Sequence, residues 1–446
     1  MRNSLPPANQ DMQSHLNLKK LFVACCLGVA LHSTTAVAAD EATLTALPLF
    51  SKQSLQYLGG FSFSNTTSGV SDASYAQGPI AVGPNGDTIF LVGYAGAQGV
   101  AEFNIPALVN STSTANFNRA TYKQKFSKVL NRASGGNPQA LDSIGGMAYI
   151  NDQLLINTYV YYDAGGTVTN TTLAVRNPSD LANSEIRGFF SLAPAAHAAG
   201  WITPIPGEWQ SLLGGTYITG FSSGIPIINR LSVGPSAFTF SPDQPRLADQ
   251  SPGKISTKTL LDFNLDHPLG YDMQSTYSDS NSYLYNMKLT NNLWTHMSSA
   301  VVGFIVPGTR TYLTIGNTGG LTSGIGYKAT QETGEVCPGG CAYNSKDYYN
   351  YYWAWDLRDM LKVMRGEIKS YEVMPHAYGR LDLPIGYKLL IGGSFDAKKG
   401  IVYLTAAQAD SVEYYRGPSV LAYKVSAGST QLAPPSPPSQ PQGQAL

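Results

Sequence analysis

The sequence predicts an all-β fold in one large domain, and three observations support this class. Helical periodicity is nearly absent, whereas short apolar stretches alternate with turns of Gly, Asn, Asp and Pro, a pattern typical of strands and hairpins. Charged residues make up only 13% of the chain, while Gly (45) and Tyr (27) are abundant, since tight turns use Gly and strand faces take Tyr. The third observation, an internal repeat of three strands, narrows the class to one architecture.

The repeated unit consists of an apolar strand, a turn, a second strand, a loop and a third strand. Five copies are recognisable, and their third strands align at Phe103, Val175, Phe238, Trp355 and Leu421. The steps between them are 72, 63, 117 and 66 residues, and the long step leaves room for a sixth unit around residues 260–286. Such repeats predict a β-propeller, here of five to seven blades. A β-sandwich, a jelly roll and a β-solenoid are the alternatives, although a sandwich would not repeat the same three-strand unit.

The N-terminal residues 1–38 predict a cleaved signal peptide. Lys19 and Lys20 precede an apolar run from 21 to 31, and Ala-Val-Ala at 36–38 provides a cleavage site. The apolar run is too short for a membrane span, which needs roughly 20 residues. We therefore expect a secreted or periplasmic protein without a membrane span.

The mature chain is expected to contain a propeller over residues 39–425 and a tail over 426–446. Residues 43–63 are expected to form two strands and to close the ring by pairing with the last blade, which would remove an exposed sheet edge. The tail is rich in Pro, Ser and Gln, cannot bury a core, and is expected to be disordered.

Charge excludes two classes of partner. The signal segment carries three basic residues and one acidic residue, out of 29 of each in the chain, so the mature protein has a formal charge of −2. Nucleic acids and anionic membranes both select a concentrated basic field. Neither is an expected partner, and the protein is expected to be a monomer.

Two cysteines remain after cleavage, Cys337 and Cys341. In an oxidising compartment this pair is expected to form a local disulfide, which stabilises the whole fold little but can hold a loop. No second Cys or His pair accompanies them, so a zinc site is not expected.

The disulfide lies in an unusually long connection, the 35 residues between Ile315 and Tyr351. Loops of this length are uncommon and are usually functional. In propellers generally, loops between second and third strands share one face with the loops that join blades, around the mouth of the central channel. We therefore expect this aromatic-rich loop to be a binding lid, although alternate members of its Tyr and Trp run would face the core.

Residues from several loops should meet at this channel mouth. They are Tyr75, Gln77, Tyr161, Tyr162, Asp163, Ser222, Ser223, Arg230, His296 and residues 413–416, together with the aromatic run. Aromatic faces stack on sugar rings, and Arg pairs with carboxylate or sulfate in a fixed fork. An extracellular, acidic polysaccharide is thus the expected ligand, with contacts from Arg230, Tyr348, Tyr349, Tyr351, Trp353 and Arg416.

A catalytic hypothesis rests on His376, Tyr378 and Arg380, which are expected to lie in a blade-joining loop at the same channel mouth. If the protein is an enzyme, they would serve as base, acid and carboxylate clamp of a polysaccharide lyase, with a glycoside hydrolase as the related possibility. A non-catalytic glycan or protein recognition module and a structural surface protein are the alternatives.

Two further patterns carry less information. Residues 220–224 match G-x-S-x-G, but that motif needs a strand–elbow–helix context that is missing here. Asp262, Asp266 and Asp272 surround His267 and could bind Ca²⁺, but their spacing fits no calcium loop. No metal or other cofactor is therefore predicted.

Overall fold

The computed structural model describes most of the chain beyond the N-terminal segment. The described residues are 40–163, 165–222, 232–242, 253–270 and 283–426. In this part of the chain, five antiparallel units of four strands each form the blades of a β-propeller, and the first and last blades are joined edge to edge into one eight-stranded sheet. The propeller prediction is confirmed, and the five aligned repeats correspond one by one to the five blades.

In each blade the first strand lies at the central channel and the fourth lies outermost. Blade 1 contains β2 (Ile80–Val82), β3 (Thr88–Val92), β4 (Gly99–Asn104) and β5 (Asn118–Lys128). Blade 2 contains β6 (Ser143–Ile150), β7 (Gln153–Tyr159), β8 (Thr172–Val175) and β9 (Ile186–Leu192), with β13 (Lys254–Ile255) at its edge. Blade 3 contains β10 (Ile202–Pro204), β11 (Tyr217–Thr219), β12 (Ala237–Phe240) and β14 (Lys258–Leu261).

Blades 4 and 5 complete the ring. Blade 4 contains β15 (Ser299–Ile305), β16 (Thr311–Gly319), β19 (Tyr348–Asp356) and β20 (Ala377–Arg380). Blade 5 contains β21 (Leu390–Asp396), β22 (Ile401–Val412), β23 (Tyr415–Val425) and, as its outer strand, β1 (Leu55–Phe63). A separate hairpin consists of β17 (Ile325–Tyr327) and β18 (Gly340–Ala342).

Helices are short and lie in the connections. The α-helices are α1 (Glu41–Thr45), α2 (Gly207–Leu213) and α3 (Leu357–Met364). The 3₁₀ helices are Lys52–Ser54, Thr114–Asn116, Leu130–Arg132, Ala195–Ala198, Tyr283–Tyr285 and Ser370–Glu372. No helix in the described ranges is both long and apolar enough to cross a membrane.

The ring is closed at both its inner and its outer side. The inner strands contact one another in the cyclic order β2, β6, β10, β15, β21 and back to β2. At the outside, β1 pairs antiparallel with β23 and continues parallel to β5 of blade 1. The predicted closure is therefore confirmed for β1, whereas the first of the two predicted strands is wrong. The first residues of that predicted strand lie in the helix α1 instead. Asp40 caps this helix by accepting a hydrogen bond from Thr43 N at 2.7 Å.

The apolar core lies between neighbouring blades, in five clusters. Each sheet is covered on both faces, and β16 is accordingly buried at every position. In β19, Trp353 and Trp355 pack toward blade 3, while Ala354 packs toward blade 5. This two-sided burial explains why the strands read as continuous apolar runs rather than as alternating patterns.

Polar side chains in or after the second strands of blades 1 to 4 connect each of these blades to the one that follows it along the chain. The pairs are Gln98 with Ile144, Asn157 with Gly200, Ser222 with Ala300, and Asn317 with Leu390. In each pair the side chain hydrogen-bonds a backbone group at the start of the next inner strand. These contacts satisfy buried backbone groups where the blades meet, and we call them the blade latches.

The sixth unit considered around residues 260–286 is not present as a blade in the described ranges. Residues 260–261 belong to β14, the outer strand of blade 3, and residues 271–282 lie outside the described part. The long step between repeats is instead occupied by the connection from blade 3 to blade 4 and by the folded hairpin of β17 and β18.

Candidate functional site

The two ends of the ring carry different connections. The end that we call the loop face carries the second-to-third-strand loops and the segments that join successive blades. The opposite end, which we call the turn face, carries the first-to-second-strand turns and the third-to-fourth-strand connections. The strand order places on this loop face residues 93–98, 160–163 and 320–347, which follow second strands, and residues 129–142, which join blades 1 and 2.

Exposed tyrosines are concentrated on the loop face. Tyr75, Tyr94, Tyr161, Tyr162 and Tyr414 all lie in its connections and are between 49% and 95% exposed. Large aromatic rings usually bury most of their surface. Five such rings held on one end of the ring therefore form an accessible aromatic surface.

A groove of about 330 Å³ lies on this face between blades 1 and 2. It is lined by residues 96–98 of the first blade's loop and by parts of 128–142, the segment that joins the two blades. Amide side chains of Gln98, Asn131 and Asn137 contribute to the lining, and its charged residues are Lys128 and Asp142. The volume is at the lower end of the range for small-ligand sites.

Tyr75 is held on the loop face by backbone contacts, next to the loop that carries Tyr94. Tyr75 N donates to Arg416 O at 2.9 Å, and Tyr75 O accepts from Ala95 N at 3.1 Å. Tyr75 also has a φ of 48°, a left-handed conformation that is uncommon for a bulky residue. The guanidinium of Arg416 donates to the carbonyls of Glu413 and Tyr415. Arg416, predicted as a ligand contact, thus lies beside Tyr75 on the loop face.

Tyr161 and Tyr162 lie in a loop that is organised by two carboxylates, one of which, Asp142, also lines the groove. Asp142 accepts a hydrogen bond from Tyr161 N at 3.4 Å. The buried Asp163 accepts from Thr167 N at 2.9 Å and from Val168 N at 3.0 Å. Burial by itself would raise the pKa of the Asp163 carboxyl, but these hydrogen bonds outweigh it and lower the pKa. The ionised carboxylate therefore holds the loop that carries both tyrosines.

The predicted lid is a folded hairpin rather than a structureless loop. Strands β17 and β18 pair within it, and the predicted Cys337–Cys341 disulfide is formed. The buried carboxylate of Asp347 accepts hydrogen bonds from the backbone of Leu321, Thr322 and Ser323 at the hairpin's base. These contacts hold the hairpin to blade 4.

The aromatic run in β19 divides between surface and core. Tyr348 stacks on Tyr387 at 6.3 Å between ring centroids, and the guanidinium of Arg380 lies 3.6 Å from the centroid of the Tyr349 ring. Tyr351 and Trp353 are 4% and 0% exposed. The expectation that these last two contact a ligand is therefore corrected, because they face the core between blades 3 and 4.

The residues predicted to form a catalytic group do not converge on one point. His376, Tyr378 and Arg380 occupy alternate positions at and along β20, so the first and last are roughly 13 Å apart. His376 Nε2 lies 3.2 Å from Thr311 Oγ1, whereas Tyr378 OH donates to Asn292 Oδ1 at 3.2 Å. Residues 376–380 were expected to form a blade-joining loop, but they lead into and form β20, the outer strand of blade 4. Residues 381–389 connect blade 4 to blade 5 instead.

His376 consequently lies toward the turn face, away from the tyrosines. It follows the third-to-fourth-strand connection and pairs through its backbone with Ala354. Burial lowers the pKa of its imidazole. A role as a base beside Arg380 is not supported by this placement.

A histidine–carboxylate pair that sequence reasoning missed lies on the loop face. His197 Nδ1 is 2.6 Å from Asp262 Oδ1, and both side chains are about one fifth exposed. Ser236 Oγ donates to His197 O at 2.6 Å and so fixes the short helix that carries this histidine. The partners are 65 residues apart, so no local spacing could reveal them. The sequence pattern instead grouped Asp262 with His267, which stacks on Tyr371.

The remaining candidates are partly outside the described residues. Arg230, Ser223 and Asp272 belong to segments that the structure does not describe. Ser222 of the G-x-S-x-G match is buried, and its Oγ accepts from Ala300 N at 2.6 Å as a blade latch. His296 is also buried, packed edge-on against Tyr285. Within the described ranges no group of three or more His, Cys, Asp or Glu side chains could hold a metal ion.

Comparisons with known proteins give only distant structural likenesses. No family model matches the chain, and no curated protein matches it. Among solved structures it is similar to the RRP9 WD40 repeats at 8% identity and a TM-score of 0.29, covering 78% of this chain and 67% of that one.

Two further likenesses are equally weak. The phage phi92 endosialidase shows 10% identity and a TM-score of 0.30, with 85% of this chain and 54% of that chain covered. The PQQ domain of a pyranose dehydrogenase from Coprinopsis cinerea shows 9% identity and a TM-score of 0.29, with 77% and 81% covered. At such TM-scores, the propeller assignment rests on the strand order of this chain.

Proposed function

We propose that the loop face binds an extracellular, acidic polysaccharide. The observation that supports this function is the amide-lined groove between blades 1 and 2 on the loop face, whose connections also expose Tyr75, Tyr94, Tyr161 and Tyr162. Sugar rings present C–H faces that pack on aromatic rings, and their hydroxyls suit the amides that line the groove.

The preference for an acidic chain rests on the charges near the groove. Lys128 lines it, and Arg416 adjoins Tyr75, whereas Asp142 is the carboxylate among the lining residues. The Asp142 carboxylate already accepts hydrogen bonds from Ser143 Oγ and Tyr161 N. The two cations are thus better placed to meet carboxylates or sulfates of a polysaccharide.

Secretion is part of the same proposal. The basic residues, short apolar run and small-residue site within 1–38 support export. A cleaved N-terminus of the purified protein at Ala39, found by N-terminal sequencing of material from the culture medium or periplasm, tests this step. An intact N-terminus in a cytoplasmic fraction would contradict it.

The binding function is tested by affinity electrophoresis in gels containing polygalacturonate, alginate or a neutral glucan. The intact protein should be retarded by an acidic polymer, and the Tyr161→Ala/Tyr162→Ala variant should lose most of this retardation. Added salt should weaken the retardation if Lys128 and Arg416 contribute. Equal mobility in all gels would exclude binding to these polymers.

A second candidate function is cleavage of the bound glycan, and the His197–Asp262 pair favours it. Asp262 orients the imidazole through Nδ1, and Nε2 would be the proton acceptor of a general base. In an eliminating mechanism, Nε2 takes the C5 proton of a uronate and a C4=C5 double bond forms as the C4–O bond breaks. The electron pair of that bond leaves with the departing sugar oxygen, which takes a proton from solvent water. The ultraviolet absorbance of the unsaturated product should then appear with the intact protein and be lost in His197→Gln but not in His376→Gln. Retention on the polymer without any product would support recognition alone.

A further inference from the structure

The turn face contains a cavity that is larger than the groove on the loop face. Its volume is about 480 Å³, and it lies where the inner strands β2, β6, β10 and β21 end. Residues of blades 1, 2, 3 and 5 line it, so the closed ring itself builds the cavity. This volume is within the range of sites for small ligands.

One wall of the cavity holds a buried carboxylate with an unsatisfied oxygen. Asp396 is 8% exposed, and its Oδ1 accepts hydrogen bonds from Lys398 N at 3.0 Å and Lys399 N at 3.1 Å. Its Oδ2 is buried and has no hydrogen-bond partner among the described residues. A Cβ at Gly86, another lining residue, would lie 2.7 Å from Oδ2. The same Cβ would lie 2.8 Å from Lys399 Nζ, so the missing side chain at Gly86 lets this ammonium lie near Oδ2, although no hydrogen bond joins them. An unpaired buried carboxylate oxygen favours a ligand that donates hydrogen bonds.

The charges around the cavity favour a ligand without negative charge. The lining includes the carboxylates of Asp152 and Asp396 and the ammonium of Lys398. Lys398 Nζ already donates to Pro84 O at 3.0 Å, and the neighbouring Lys399, which is not a lining residue, donates to Gly86 O. Both ammonium groups are therefore held on backbone carbonyls of the blade 1 turn. An anionic ligand would face the carboxylates, whereas an amine would be attracted to them.

Aromatic and hydroxyl groups complete the lining. Tyr149 packs on Phe90 and donates from its OH to Asp152 Oδ1 at 3.3 Å, while Tyr217 and Ser394 lie on other parts of the wall. A ring that carries hydroxyls and an amine could pack on a tyrosine and meet these polar groups. We propose that this cavity binds a small hydroxylated amine of about the size of one amino sugar. This site is independent of the polysaccharide site on the loop face.

Three sugars of matched size and different charge test the proposal. Isothermal titration calorimetry of the full chain with glucosamine, glucose and glucuronate should give the order glucosamine, glucose, glucuronate from tightest to weakest. Glucosamine should bind about tenfold more tightly than glucose. Equal affinities, tightest binding of glucuronate, or no heat from glucosamine at millimolar concentration would overturn the proposal.

Variants assign any binding to the cavity. Asp396→Asn retains an oxygen for the backbone hydrogen bonds and should remove most of the preference for glucosamine over glucose. Asp152→Asn, at an exposed position, should reduce the same preference even if Asp396→Asn fails to fold. Asp142→Asn is the matched control on the loop face and should leave the preference unchanged. If Asp142→Asn or Tyr161→Ala/Tyr162→Ala abolishes glucosamine binding instead, the site is on the loop face and the proposal is wrong.

Discussion

Replacing Asn317 by Ala removes a blade latch with a well-defined set of contacts. Asn317 is buried, its Nδ2 donates to Leu390 O at 2.8 Å, and its Oδ1 accepts from Leu390 N at 2.9 Å and Asn350 Nδ2 at 3.0 Å. Alanine leaves both backbone groups of Leu390 without these partners. Since each buried group left unpaired costs about 1–3 kcal/mol, we expect a loss of roughly 3 kcal/mol in the free energy of unfolding.

Urea unfolding followed by tryptophan fluorescence measures this loss. The midpoint should fall with an unchanged slope, because the same surface is exposed on unfolding. Asn104→Ala is the matched control, since Asn104 is exposed and donates to Thr121 Oγ1 at 3.2 Å; its effect should stay within about 0.5 kcal/mol. A loss below about 1 kcal/mol for Asn317→Ala would refute the idea that the latches stabilise contacts between blades.

Three further predictions follow from single groups. Burial lowers the pKa of His376 in the folded protein below its ordinary 6.5, so protonation of this imidazole favours the unfolded chain. The free energy of unfolding should therefore decrease as pH falls from 6.5 toward the lower folded pKa. His376→Gln should show less of this decrease in urea midpoints measured at several pH values. Asp163→Asn should speed amide hydrogen exchange in its own loop and weaken polysaccharide retention, whereas unchanged exchange would show that the carboxylate does not hold the loop. Replacing both Cys337 and Cys341 by Ser should cost about 2 kcal/mol or less, because the closed ring is short, and should increase proteolysis within the hairpin before the rest of the chain.

The architecture could be predicted from sequence because its signals are local and repeated. Each third strand is a short apolar run with polar neighbours, and the five runs recur at long but recognisable steps. The disulfide was also predictable, since two cysteines four residues apart leave one partner for each. The first predicted strand was wrong because a single capping residue, Asp40, favours a helical turn over an extended segment.

The candidate site was harder to predict because it depends on which loop each residue occupies. One error in strand assignment placed His376 in a blade-joining loop, although the chain forms the outer strand of blade 4 there. The pairing of His197 with Asp262 and the groove beside Tyr161 arise from contacts between blades. Such contacts leave no periodic signal in one sequence. Trp353, by contrast, could be suspected as a core residue, since alternate strand positions face opposite sides.

The most direct test of the loop-face proposal compares two tyrosine sites of similar exposure. Tyr161 and Tyr162 lie in the loop that is hydrogen-bonded to the groove residue Asp142, while Tyr327, 69% exposed, lies on the disulfide hairpin of blade 4. In affinity electrophoresis against polygalacturonate or alginate, Tyr161→Ala/Tyr162→Ala should lose most of its retardation, and Tyr327→Ala should migrate like the unaltered protein. Two results would contradict binding at the groove between blades 1 and 2: loss of retardation in Tyr327→Ala alone, or full retardation of the Tyr161→Ala/Tyr162→Ala variant.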